Sequence, residues 1–231
     1  MDSDRCAAGR AGCLRNHLPR MLNVDTPHGP ARVHLHVAGD ARAALVLGHG
    51  AGGGVGAPDL VEATRVATAE GATVALVEQP YRVAGRRSPA PAHQLDAAWI
   101  AVIENLLDGE LRGLPLIAGG RSLGARVACR TAEATGASAL LCLAFPLQPP
   151  RRKAAAGPAP SRLPELEALT VPVLIVQGSQ DQFGMPPAAA GRTVAQVPGN
   201  HSLRKDVQAV GEAVRDWLPR VVPREARAKA G

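Results

Sequence analysis

Leu116-Ile117-Ala118-Gly119-Gly120-Arg121-Ser122-Leu123-Gly124-Ala125-Arg126 holds an apolar run, a turn of small residues and the start of an Ala-rich segment. This reads as strand, sharp turn, helix. Within it, Gly120–Gly124 spells G-x-S-x-G, a weak pattern by itself in a chain with 25 glycines. The strand before it and the helix after it make it informative. A strand-to-helix turn this tight needs small neighbours around its central residue, and Gly120 and Gly124 supply them. The turn lifts the Ser122 hydroxyl out of the C-terminal edge of a sheet. It also sets the hydroxyl at a helix N-terminus, where free backbone N–H groups favour developing negative charge. Locally two readings stand side by side: a nucleophile, or a serine that caps the helix.

Outward from this turn, strand and helix signals alternate. Val33–Val37 alternates apolar and polar residues, and Ala43–Leu47, Thr73–Val77, Ala139–Ala144, Val173–Gln177 and Thr193–Val197 read as further strands. Helical spacing appears in Asp59–Glu70, His93–Leu107, Leu123–Thr135 and Leu203–Leu218. Such alternation predicts a mainly parallel sheet covered on both faces. The chain has 231 residues, enough for one domain with a sizeable core. Only 2% of residues are aromatic, so the core must come from Ala, Val and Leu. Residues 1–20 and 220–231 read as tails flanking a domain over 21–219, with Met21 a candidate start.

A serine hydroxyl needs a base. His201, in Pro198-Gly199-Asn200-His201-Ser202, follows the last strand and precedes the last helix. His34 and His36 share one face of an early strand, and His17, His28 and His93 sit in a tail, a loop and a helix start. The base in turn needs an acid to fix its tautomer. Asp181, in Gln177-Gly178-Ser179-Gln180-Asp181, follows a buried strand. Taken singly, Asp181 could be a turn former and His201 a loop residue. Their chain order, Ser…Asp…His, at the ends of successive strands argues for a triad.

Gly48-His49-Gly50-Ala51-Gly52-Gly53-Gly54 follows an early strand. It lacks the Lys-Ser/Thr that completes a nucleotide phosphate loop. An H-G-x-G-G loop at this point supplies one N–H of an oxyanion hole, the second coming from the residue after the nucleophile. The expected donors are Ala51, with Gly52 as the alternative, and Leu123. His49 is expected to anchor the loop.

Together, His49–Gly53, Gly119–Arg126, Phe145-Pro146-Leu147, Val173–Asp181 and Asn200-His201-Ser202 resemble the small bacterial α/β-hydrolases related to dienelactone hydrolase. The branch includes relatives of a subunit of a human chromatin acetylation complex. The resemblance implies an α/β-hydrolase fold, a single three-layer domain with a mainly parallel twisted sheet, and the stretch between Phe145 and Leu163 leaves no room for a large cap domain. The resemblance also implies the triad Ser122, Asp181 and His201. With that triad the reading is a serine esterase or thioesterase acting on a small-molecule ester, the rival being a hydrolase-fold module that binds without catalysis. Dienelactone hydrolases carry Cys at the elbow, whereas this chain has Ser122.

Tyr81, Arg82 and Arg121 are candidate substrate-binding residues, and Arg86, Arg87, Arg151, Arg152 and Lys153 lie in loops at the same edge. They could favour a substrate with a carboxylate or phosphate. Alternatively they are solvated, with Arg121 paired to an acid such as Glu78. No cofactor and no metal site is expected. Of the net charge of +6, residues 1–20 carry +2 and residues 220–231 carry +3. The excess therefore lies in the tails, and with so few aromatics no nucleic-acid partner is expected. No apolar run could span a membrane, and the N-terminus lacks a signal-peptide core. Cys6, Cys13, Cys129 and Cys142 form no tight pair, pointing to free thiols and a cytoplasmic location. A homodimer is left open.

Overall fold

The computed structural model describes residues 19–149 and 160–223. Eight strands form one sheet: β1 (Arg20–Val24), β2 (Ala31–His36), β3 (Ala43–Gly48), β4 (Ala72–Glu78), β5 (Leu116–Arg121), β6 (Ala139–Leu143), β7 (Val173–Gly178) and β8 (Arg192–Val197). Their spatial order is β1-β2-β4-β3-β5-β6-β7-β8. β2 runs antiparallel to both its neighbours, and every pairing from β4 to β8 is parallel. β3 to β7 are almost continuously buried, as strands covered on both faces must be.

The helices are α1 (Pro58–Ala69), α2 (Pro80–Val83), α3 (Ala92–Asp108), α4 (Leu123–Thr131), α5 (Leu163–Glu167) and α6 (Val207–Trp217). α3, α4 and α5 send Leu95, Trp99, Ile103, Val127 and Leu166 into one core on one face of the sheet. α1 and α6 send Leu60, Ala63, Val66, Val210, Val214 and Trp217 into the other. The result is a single three-layer domain. Small aliphatic side chains make up most of both cores, with Trp99 and Phe145 the largest fully buried groups.

Element boundaries differ from the sequence reading in instructive places. The sequence reading places no strand before Val33, yet β1 begins at Arg20, the last residue of the proposed N-terminal tail, and pairs with β2 as far as Val24. The last helix begins at Val207, not Leu203, because the Asp206 side chain accepts the Ala209 N–H and caps it there. Residues 203–206 instead form the loop behind His201. Val222, expected in a frayed tail, is buried at 5% exposure against the second core. Of the proposed tails 1–20 and 220–231, residues 1–18 and 224–231 lie outside the described residues, as do Arg151, Arg152 and Lys153. α4 tightens into turns after Thr131 and closes at Gly136.

Candidate active site

β3, β5, β7 and β8 all end at one edge of the sheet, and the loops leaving them build the site. At the end of β5 the chain turns into α4 through Ser122, whose φ is 52° and ψ −105°. A non-glycine residue there is strained, and the surroundings must hold it. They do so by contact. A methyl group at Gly124 would stand 2.4 Å from the Gly48 carbonyl carbon, and one at Gly120 would stand 2.5 Å from the Gly48 oxygen. The elbow is therefore pressed onto the end of β3. The Ser122 N–H donates to Leu143 (2.9 Å) and the Gly124 N–H to His49 (3.1 Å), fixing it on both sides.

Asp181 and His201 leave the ends of β7 and β8. Their loops stay paired beyond the sheet: the Ser179 N–H donates to Val197 and the Gln180 N–H to Gly199, both at 2.8 Å. At Gly178 the two loops touch so closely that a side chain would stand 2.5 Å from the Asn200 carbonyl oxygen. Asn200 shapes the base loop, its Oδ1 accepting the Ser202 N–H (3.0 Å) and hydroxyl (2.8 Å). Leu203, in the left-handed region at φ 51°, is fully buried and roots the loop in the core.

These loops bring Ser122, His201 and Asp181 into one hydrogen-bonded chain. His201 Nδ1 lies 2.8 Å from Asp181 Oδ2, and Nε2 lies 2.9 Å from Ser122 Oγ. A carboxylate only accepts, so Nδ1 carries the proton and Nε2 is left free to take the serine proton. Phe183 packs edge-on against the imidazole, ring centroids 4.5 Å apart. Three groups hold Asp181. Its Oδ1 accepts the Phe183 N–H at 2.9 Å, and its Oδ2 accepts from His201 and from Gln177 Nε2 at 2.8 Å. Gln177 is completely buried at the end of β7, and its amide also reaches the carbonyls of Gly184 (2.9 Å) and Phe145 (3.1 Å). Sequence reading passed over it, although a glutamine ending the run Val-Leu-Ile-Val was its signal.

His49 anchors the glycine loop as expected. The buried ring accepts the Gln79 N–H at Nε2 (3.2 Å), so Nδ1 carries the proton and donates to the Gly50 carbonyl (2.8 Å). Burial is the largest cause holding its pKa below the usual 6.5, with a smaller push from Arg82. Among the described residues, no carbonyl accepts the N–H of Ala51, Gly52 or Leu123, the three expected oxyanion donors.

The expected substrate-binding trio fares differently. Tyr81 is 4% exposed, and its hydroxyl donates to the Ala51 carbonyl at 3.0 Å. Burial pushes its pKa up to about 12, so it remains a donor. Tyr81 therefore braces the glycine loop from within the protein. Arg82 is half-buried and donates to the Arg86 carbonyl (3.3 Å). Arg121 pairs with an acid, but with Asp59 at 2.8 Å and not with Glu78. Glu78 faces Arg32 and His34 across the β2–β4 pairing. Arg126, at the end of the elbow motif, grips Glu165 with a bidentate pair and ties α5 to α4. Cys129 and Cys142 are both buried free thiols. Among the described residues, no three His, Cys, Asp or Glu side chains cluster to hold a metal, and no helix is long and apolar enough to cross a membrane.

Comparison with known proteins fits this architecture. No curated protein matches the chain. Among solved structures, it is similar to XC6422 from Xanthomonas campestris, described as an α/β serine hydrolase without lid. The TM-score is 0.71 at 19% identity, covering 90% of this chain and 97% of that one. It is similar in fold to a dienelactone hydrolase from Anabaena variabilis (TM-score 0.70, 14% identity, 90% and 100% covered). It is also similar to Est1E from Butyrivibrio proteoclasticus (TM-score 0.69, 15% identity, 87% and 98% covered). A family model described as an alpha/beta hydrolase domain matches residues 41–213. That span runs from the loop before β3 into α6 and holds every residue of the Ser122–His201–Asp181 chain, so this chain belongs to the α/β-hydrolase family.

Proposed function

We propose that this protein is a serine hydrolase that cleaves small acyl esters or thioesters through an acyl-enzyme on Ser122. The observation that carries the reading is the unbroken chain Asp181 Oδ2–His201–Ser122 Oγ, with both links under 3 Å. His201 takes the hydroxyl proton as Oγ attacks the substrate carbonyl, and Asp181 stabilises the imidazolium that forms. The oxyanion settles between the Leu123 N–H and the N–H of Ala51 or Gly52. Each such donor contributes roughly 3–4 kcal/mol to barrier lowering. The tetrahedral intermediate collapses, His201 protonates the leaving oxygen or sulfur, and the same base then activates water to release the acid.

A panel of p-nitrophenyl esters, acyl thioesters and lactones tests this. The wild type turns over at least one class, and Ser122→Ala lowers kcat by roughly 10⁴-fold or more. Turnover of no compound by the wild type would favour a hydrolase fold that binds without catalysis. Equal turnover by Ser122→Ala would remove Ser122 from the mechanism.

A further inference from the structure

Arg121 fills the variable position of the elbow, immediately before Ser122, yet its side chain is taken up by contacts within the protein. Nε donates to Asp59 Oδ2 at 2.8 Å, and Nη2 donates to the main-chain carbonyl of His201 at 2.9 Å. Nη1 lies over Gly50, where a side-chain carbon would stand only 2.8 Å from it. One guanidinium therefore touches α1, the base loop and the glycine loop at once, while its own backbone carries the nucleophile. The Asp59 carboxyl has no solvent exposure and Arg121 only 17%. Burying an ion pair this deeply is a poor route to stability, because desolvation consumes most of the Coulombic gain. What a guanidinium offers here is geometry: a rigid plane of donors in fixed directions.

We infer that Arg121 is a positioning residue. Held by Asp59, it sets the main chain of His201 and the Gly50 turn relative to Ser122, so that base and oxyanion donors meet the serine in register. The inference rests on the hydrolase reading above. Burial raises the Asp59 pKa, and the nearby Arg121 charge opposes that rise, favouring the charged carboxylate that holds the guanidinium.

Three variants test it: Asp59→Asn, which keeps the side-chain shape, Arg121→Lys and Arg121→Ala. Each is measured for kcat, KM and thermal midpoint on an ester that the wild type hydrolyses. Positioning predicts that kcat falls roughly 10–100-fold in folded protein while KM stays within about twofold. Guanidinium ion added to Arg121→Ala restores part of kcat, and has no such effect on Ser122→Ala. Wild-type kcat in both Asp59→Asn and Arg121→Lys would overturn the inference. So would activity that merely follows the folded fraction, without guanidinium rescue. A wild type that hydrolyses nothing would instead defeat the hydrolase reading. In that case the low-field Nδ1–H proton resonance of His201 decides: displaced in Asp59→Asn if Arg121 positions the base, unchanged if it does not.

Discussion

Replacing Gly124 with alanine puts a methyl group where the elbow meets β3. The new carbon would stand 2.4 Å from the Gly48 carbonyl carbon, 2.5 Å from its oxygen and 2.9 Å from its Cα, against about 3.4 Å for ordinary contact. All three obstacles are main chain, so no rotamer change relieves them. Strand and helix must part by about 1 Å in an interior packed too densely to absorb the shift. Overpacking of this kind costs about 1–3 kcal/mol of stability. The catalytic cost is separate. Ser122 Oγ and the Leu123 N–H both ride on this turn, and a displacement of about 1 Å costs about 100-fold in rate. The assay is kcat/KM on a p-nitrophenyl ester together with a urea midpoint. Gly39→Ala serves as control, since nothing lies within 4 Å of its added carbon. Gly124→Ala with a wild-type midpoint and wild-type kcat/KM would refute the claim that this contact seats the serine.

Tyr81→Phe removes the hydrogen bond onto the Ala51 carbonyl, worth about 1 kcal/mol. Expressed wholly as loop position, that is about a fivefold fall in kcat/KM with little change in fold, read by steady-state kinetics beside circular dichroism. Acidification acts through His49. Its folded pKa lies below the ordinary 6.5, so below that pH the unfolded chain binds the extra proton first and stability falls with pH. His36, held low by burial and by His34, adds in the same direction. Denaturant midpoints between pH 7 and 5 therefore decline in the wild type and decline less steeply in His49→Gln; equal slopes would remove His49 from the account.

Residues whose chemistry is tied to a strand end were legible in the sequence. Ser122, Asp181 and His201 each follow an apolar run, and parallel strands put all such ends on one edge, so their convergence followed from topology. Side chains that answer to sequence-distant partners were not legible. Arg121 looked like a substrate residue because its position lies at that edge. Its direction depends on Asp59, a residue in the first turn of α1 that the sequence marks only as a helix start. Tyr81 misled for a similar reason: the short helix α2 turns its ring inward under the glycine loop, and no periodicity signals a helix of one turn. Gln177 was hidden by its neighbours, because a run of buried apolar strand residues masks a polar group that contacts the acid. The start of α6 moved because Asp206 caps it, whereas apolar spacing alone began it at Leu203.

Ser122, on this reading, is a nucleophile activated by His201. Fluorophosphonate labelling followed by peptide mapping tests it most directly. The expected product is a single covalent adduct on Ser122, formed far more slowly in His201→Ala and absent from Ser122→Ala. An unmodified Ser122 at saturating probe, in folded wild-type protein, would contradict it.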